Sequence, residues 1–317
     1  MMRLPTPAQQ PTMYFIGVTT AQSSIMKLFP QWAQVLGMKD AVIKGIDIDI
    51  HAPENDYRTC VGFIKNDPLS MGALVTTHKI DLYNAAKDLF DQLDPYAVRF
   101  GEVSSISKRA GRLIGHAKDP ITAGKALDAF IPEHHWASTH AQVVVLGAGG
   151  SALAISAYLA QEKFAGNYPE KIHLTNRSAP RLSSAVKILS DLPVPMSFHL
   201  CPEPYMNDKI VESVPAGSLI VNATGLGKDR PGSPLTDQVQ FPEKAIVWEL
   251  NYRGTLEFLQ QAKKAQSEKN LLIEDGWTYF IHGWTEVISE VFNSELTDHK
   301  LRLCEKIARA GNPPHLS

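Results

Sequence analysis

Two hydrophobic periods alternate along the first ninety residues. Residues 13–18 (MYFIGV) form a short apolar run of strand length. The segment SSIMKLFPQWAQVLGM then carries apolar residues at helical spacing, with Ser23 or Ser24 to cap it and Gly37 to stop it. Pro30 inside it predicts a kink or a break. AVIKGIDIDI alternates as a strand does. PENDYRTCVGFIKND returns to the helical period, with Pro53 near its start. GALVTTHK reads as a strand running into a loop, and IDLYNAAKDLF as a helix. This alternation over residues 13–90 is the mark of a mostly parallel α/β layer. VSSISKRAGRLIGHA predicts two strands joined by a turn at residues 110–111.

A connecting helix follows at 120–131, then a polar stretch, PEHHWASTHA. A second alternation begins there, with strands at 142–146, 171–175, 195–200, 218–223, 245–249 and 271–274. Helices are predicted between them at 150–162, 180–191, 205–213 and 255–266, and two closing helices at 278–292 and 295–310. The pattern predicts two α/β domains, residues 13–124 and 125–277, and leaves open which of them the closing helices join.

Composition narrows the picture. A length of 317 residues suits two domains, and 44% hydrophobic with 20% charged residues is ordinary for a globular protein. A net charge of −2 gives no basic field to attract nucleic acid. Cys60, Cys201 and Cys304 form no C-x-x-C pair, which argues against a disulfide framework or a thiolate zinc site and fits a reducing cytoplasm. No apolar run reaches the roughly 18 residues of a membrane span. The polar, Pro-rich start MMRLPTPAQQPT has no signal-peptide core and reads as a loose tail.

The strand at 142–146 leads into GAGGSA, which puts Gly147, Gly149 and Ala152 in a G-x-G-x-x-G/A pattern opening a helix. The first glycine allows a tight turn, and the second lets backbone approach a diphosphate. The small third residue lets helix pack on strand. Ala148, Gly150 and Ser151 complete the loop whose N–H groups would hold phosphate. The next predicted strand ends in NRSAPR, with no carboxylate for a ribose hydroxyl. Arg177 and Arg181, with Asn176 and Ser178 beside them, instead suit a 2′-phosphate, so NADP is preferred over NAD.

These segments resemble the shikimate dehydrogenase family over nearly the whole chain. GAGGSA and NRSAPR look like its glycine loop and basic patch. NATGLG, with Asn222, Ala223, Thr224 and Gly225, resembles the segment lying along the cofactor near the nicotinamide. NYRGT resembles the tyrosine-containing cleft segment, here with Tyr252. VTTHK ends in Lys79, where the family has its catalytic lysine, and GEVSSI followed by GHAKD puts Asp119 at the catalytic aspartate. DGWTYFIHG resembles the start of the closing helix. The resemblance implies a substrate domain first, a Rossmann-like NADP domain second, and residues 278–317 returning to the first. It implies an NADP-dependent dehydrogenase acting on CH–OH groups, with a place in aromatic amino-acid biosynthesis. The partners implied are a small-molecule substrate and NADP, with no metal, nucleic acid or membrane, for a monomer or homodimer.

The resemblance assigns substrate contact to Ser23, Ile25, Thr76, Ser104, Tyr252 and Gly283. Several of these depart from the family pattern. Ile25 stands in a Ser-x-Ser grip, Thr77 for a proline, Ser104 and Ala117 for asparagines, and Gly283 for a glutamine. Lost hydrogen bonds change selectivity strongly, so a larger or less polar ring than shikimate is expected. A lysine beside an aspartate can move the hydroxyl proton while the cofactor carries hydride. The rival reading is a non-catalytic NADP-binding sensor with a decayed pocket. A third is a reductase of another group, as in methylene-folate dehydrogenases. His134, His135 and His140 read as a solvated linker, and His78, His116, His282, Glu286 and Glu102 are left without assigned roles.

Overall fold

The computed structural model describes residues 3–228 and 230–311. The chain divides into two compact units. The first runs to Lys118 and resumes at Gly283, and the second spans Asp119–His282.

In the first unit, β1 (Thr12–Gly17), β2 (Val42–Asp47), β3 (Ser70–Val75), β4 (Gln92–Leu93), β5 (Ser105–Arg109) and β6 (Arg112–His116) form one sheet in the order β2-β1-β3-β5-β6-β4. β1 pairs in parallel with β2 and β3, and β3, β5 and β6 run antiparallel. Helices α1 (Ile25–Leu36), α2 (Glu54–Asn66), α3 (Lys79–Ala86) and α4 (Pro95–Phe100) connect them. Tyr14, Ile16, Ile46, Ile64, Val75, Val103 and Ile106 make the core.

Pro30 lies inside α1 without ending it, so the break that the sequence allowed is absent. The helix buries Ile25, Leu28, Phe29, Trp32, Ala33 and Leu36. The large apolar side chains among them each contribute roughly 1.5–3 kcal/mol, which outweighs the ~3 kcal/mol cost of an interior proline. Gly37, in the left-handed conformation, ends the helix as expected. Nor is the start of the chain a loose tail. Leu4 packs against the core, and the Ala8 N–H donates to Asp67 Oδ2 at 2.9 Å. The same carboxylate accepts from the Tyr14 hydroxyl at 2.6 Å. Burial works against the Asp67 charge, but these donors and the Leu69 N–H hold its carboxyl below the usual range.

Further along the first unit, α4 is a single capped turn. Asp94 Oδ1 accepts from the Ala97 N–H at 2.6 Å, Pro95 opens the helix and Gly101 closes it.

The second unit holds α5 (Asp119–Asp128), α6 (His135–Thr139), β7 (Val143–Leu146), α7 (Gly150–Leu159), β8 (Ile172–Asn176), α8 (Ala179–Leu189) and β9 (Met196–Leu200). It continues with α9 (Pro204–Ser213), β10 (Leu219–Asn222), β11 (Ile246–Glu249), α10 (Glu257–Lys269) and β12 (Leu272–Glu274). Its sheet is parallel throughout, in the order β12-β11-β10-β7-β8-β9. β7 is buried along its length, because helices cover both faces of such a sheet. α11 (Gly276–Phe292) and α12 (Asp298–Gly311) close the chain, and the division between units falls inside α11.

The unit division falls at Lys118/Asp119 rather than at residues 124/125, so α5 belongs to the second unit from its first residue. Gly124 explains why α5 stays with α7: a side chain there would strike the ring of Tyr158. The predicted helix at 150–162 stops at Leu159, and the polar stretch expected as loop holds the short α6. Among the described residues no helix is long and apolar enough to cross a membrane.

Gly72 lies in β3 with φ of +134°, and a Cβ there would collide with the Ile106 carbonyl of β5. Gly72→Ala is therefore expected to lower the unfolding free energy by roughly 2–4 kcal/mol, since both backbone strain and overpacking apply. Urea denaturation of the variant beside the parent measures it.

Candidate functional site

The second unit gathers its loops at the carboxyl ends of β7, β8, β10 and β11. The strand order reverses between β7 and β10, which is where such sheets bind ligands. The loop after β7 fits this role. Gly147 has φ of +121°, and a Cβ on it would lie 2.7 Å from the Ala223 carbonyl oxygen. Only glycine lets the two loops approach so closely. Gly149 is the N-cap of α7, and a Cβ there would meet nothing within 4 Å. Ala148 and Ala152 are buried, while Gly150 and Ser151 form the first turn of α7, which carries no acidic residue. The unpaired N–H groups of that turn suit an anion.

At the end of β8, Asn176 Oδ1 accepts from the Ser178 N–H at 2.8 Å and closes the turn into α8. Arg177 and Arg181 flank the start of α8 and are exposed, and no acidic residue lies in its first turn.

Asn222 organises the loop after β10. Its Oδ1 accepts from the Thr224 N–H at 3.1 Å and the Thr224 hydroxyl at 2.7 Å. Its Nδ2 donates to Glu249 Oε2 at 2.8 Å. The Asn251 N–H donates to the other Glu249 oxygen at 2.8 Å, and Asn251 Nδ2 donates to the Leu226 carbonyl at 3.0 Å. Glu249, at the end of β11, is fully buried. Burial pushes its carboxyl up to about 8, against the downward pull of the Asn251 and Asn222 donors; Glu257 adds a smaller upward push. The sequence reading missed this residue, although a lone acid ending a predicted apolar strand was a signal. Tyr252 packs against Phe280 and Trp277, with ring centroids 4.4 and 5.1 Å away.

In the first unit, Lys79 is half-buried at the start of α3, and its carbonyl accepts from the Val103 N–H at 3.1 Å. The Thr76 hydroxyl donates to the Ile16 carbonyl at 3.3 Å. Ser104 is 2% exposed. Its Oγ accepts from the Lys118 N–H at 2.8 Å and donates to the His116 carbonyl at 3.5 Å. Its hydroxyl thus serves the backbone. Ser23 and Ser24 are half-buried before α1, whereas Ile25 is fully buried and offers no exposed surface to a ligand. Ala117 is also fully buried, and a Cβ on Gly283 would meet nothing within 4 Å. Asp119 is 8% exposed at the start of α5, in the second unit. The residues expected to hold the cofactor therefore all lie in the second unit, while the two expected catalytic residues are divided between the units.

The histidines divide as well. His78 is a core residue, fully buried with Nδ1 3.3 Å from the Tyr57 hydroxyl, and burial lowers its pKa. His116 lies between Asp94 (3.6 Å) and Glu290 (3.5 Å), with Nε2 2.9 Å from the Ser107 hydroxyl. Burial works against the Glu290 charge, but Lys118, at 2.5 Å, His116 and Arg109 keep its carboxyl below the usual range. His135 is buried rather than solvated, with Nε2 2.9 Å from the Gly217 carbonyl. Among the described residues no three His, Cys, Asp or Glu side chains are grouped to hold a metal.

This arrangement defines a two-unit α/β protein whose second unit has the Rossmann strand order and a dinucleotide-type glycine loop. No protein-family model matches the chain. It is 29% identical over 235 residues to the NADP(+) shikimate dehydrogenase of Streptococcus thermophilus, covering 74% of this chain and 77% of that one. Shikimate 5-dehydrogenase of Thermus thermophilus, solved with NADP(H) and shikimate, superposes with a TM-score of 0.69 at 22% identity, over 94% of this chain and 98% of that one. The 5-ketofructose reductase of a Gluconobacter species superposes with a TM-score of 0.68 at 18% identity, over 94% and 98%. Over most of its length the chain is similar in sequence to shikimate dehydrogenases, and it shares their fold.

Glu249 links this site to pH. Its folded pKa is raised above an unfolded value near 4.5, so the folded state holds the proton more tightly than the unfolded state does. Its contribution to stability is full below about pH 4.5 and is lost as pH rises through about 8. Denaturation at pH 5, 7 and 9 should show the parent losing stability relative to Glu249→Gln as pH rises. Parallel curves for the two proteins would contradict the assignment.

Proposed function

We propose that this chain is an NADP-dependent oxidoreductase that interconverts an alcohol and a ketone on a small ring substrate, and that shikimate is not the ring it is built for. The observation that carries the reading is the approach of Gly147 to Ala223, which leaves the start of α7 open to a diphosphate at the switch point of the sheet. The residues present fit the cofactor. Gly149 leaves open space at its Cβ position, no acid opposes an anion at α7 or α8, and Arg177 and Arg181 supply charge for a 2′-phosphate. The NADP(+) dependence named for its shikimate dehydrogenase relatives supports the same choice.

NADP, when bound, supplies or takes up the hydride. Asn222 and Thr224 hold the loop on the nicotinamide side, and Tyr252 lines the substrate. Lys79 passes a proton to or from the substrate oxygen, and Asp119 is the second catalytic residue that the family resemblance implies. Ser23 and Thr76 contribute to substrate binding from the first unit.

The altered ring preference rests on side chains. Ile25 and Ala117 are buried and apolar, Ser104 spends its hydroxyl on the backbone, and Gly283 has no side chain. These are positions where the family resemblance places polar contacts. Each lost hydrogen bond to a charged or well-placed group is worth roughly 1–3 kcal/mol. Two or three losses lower kcat/KM by orders of magnitude. The 5-ketofructose reductase shares the fold, so the fold itself does not dictate the ring.

The test is a panel of cyclic polyols and ketones with NADP, followed at the nicotinamide absorbance. Shikimate should turn over with kcat/KM below about 10⁴ M⁻¹s⁻¹, short of an ordinary efficient enzyme, and another ring faster. With the faster ring, Lys79→Met should cut kcat by about 10²–10⁴ and leave NADPH binding intact. Turnover of no alcohol at all, with NADP still bound, would favour a sensor.

The second measurement is of cofactor choice. NADPH should bind from several-fold to about a hundredfold more tightly than NADH, through charge-assisted contacts of roughly 1–3 kcal/mol. Replacing Arg177 and Arg181 with alanine should erase that preference and leave NADH affinity nearly unchanged. Equal affinities in the parent protein would remove the 2′-phosphate role.

A further inference from the structure

The first turns of α11 reach the glycine loop through one hydroxyl. Tyr279 donates from its phenol oxygen to Ser151 Oγ at 3.2 Å, and both residues belong to the second unit. The phenol ring is braced from behind. It lies edge-on to Trp248, with centroids 5.7 Å apart and planes at 84°. Trp248 is fully buried in β11 and meets Phe130 in turn, edge-on at 5.2 Å. The hydroxyl is therefore presented to Ser151 by a packed aromatic column rather than by a flexible arm.

Ser151 lies in the first turn of α7, inside the GAGGSA loop. A serine hydroxyl has one hydrogen to give and two lone pairs. With Tyr279 donating to one lone pair, the Ser151 hydrogen remains to be given elsewhere. The N–H groups beside it favour an anion. We propose that Tyr279 is a positioning residue for the cofactor: it orients the Ser151 hydroxyl so that this hydroxyl donates to the diphosphate of NADP. The inference rests on the NADP reading above and adds to it a residue 128 positions away in the chain.

The experiment is a double-mutant cycle read by NADPH and NADH titration. Tyr279→Phe keeps the ring packed on Trp248 and removes only the hydroxyl. It should weaken both dinucleotides about fivefold, the size of one hydrogen bond. It should raise KM for NADP and leave kcat unchanged. Ser151→Ala should weaken both at least as much, and the double variant no further than Ser151→Ala alone, because the two hydroxyls act as one unit. Ser151→Thr, which keeps a hydroxyl, should bind nearly as the parent does. Adenosine 2′-phosphate, which has no diphosphate, should bind all four variants as it binds the parent.

Parent-like dinucleotide binding by Tyr279→Phe, with only a lowered melting temperature, would overturn the proposal and leave the bond a structural fastening. Full additivity of the two substitutions would overturn it as well. A parent protein that binds neither dinucleotide would overturn the cofactor reading, and this inference with it.

Discussion

The glycine-loop edge of the second sheet depends on one close approach, that of the Gly147 backbone to the Ala223 carbonyl. It follows from the register of the sheet. β7 and β10 pair from Val143 with Leu219 to Leu146 with Asn222, so both strands end in the same row. The Ala223 N–H continues the ladder to the Leu146 carbonyl at 2.9 Å, and the Gly147 N–H to the Thr175 carbonyl at 2.9 Å. Loops leaving adjacent strands about 4.8 Å apart have no room for a side chain between them. The same row continues outward. Asn222 holds Glu249 at the end of the next strand, and Asn251 N–H returns to that carboxyl. A backbone constraint at one glycine is thus carried across three strand ends by side-chain hydrogen bonds.

Polar groups do different work in the two units. In the second they shape loops, and the first turns of α7 and α8 hold no acid. In the first, many are committed to the protein itself: Thr76 to Ile16, Ser104 to its neighbouring strand, and Lys118, Arg109 and His116 to Glu290. A buried polar group left without partners costs more than a satisfied one contributes. Such commitments therefore resist being exchanged for contacts with a ligand. Lys79, for which a proton-transfer role is proposed, stands half-buried at the start of α3.

Local pattern made much of this fold legible before its structure. The parallel strands of the second unit read as apolar runs because both their faces are buried, and the glycine loop stood out by its spacing. What escaped were features set by partners distant in sequence. Pro30 breaks a helix on local grounds, but six buried neighbours hold α1 together. The two-residue β4 is too short to show a period. Helix α4 carried its signals in Asp94, Pro95 and Gly101, within a stretch that had no apolar repeat. In the candidate site, the loops expected to hold the cofactor could be named from motif and position. Glu249 and Tyr279 could not, because each matters through a side chain on another strand or helix. Ile25 and Ser104 could be aligned from sequence, but only their burial reveals that one faces the core and the other serves the backbone.

The arm ahead of β1 bears on how the chain can be handled. The Ala8 N–H, the Tyr14 hydroxyl and the Leu69 N–H share the Asp67 carboxylate, and the Lys108 ammonium donates to the Asp67 carbonyl at 2.7 Å. Removing residues before Pro11 would take one donor from a carboxylate that is 5% exposed and would uncover the apolar surface under Leu4. Affinity handles and fusion partners therefore belong upstream of this arm, joined through a spacer that leaves it seated. A trimmed variant would carry its defect at the sheet end farthest in sequence from the glycine loop, where a nucleotide-binding assay has little power to notice it.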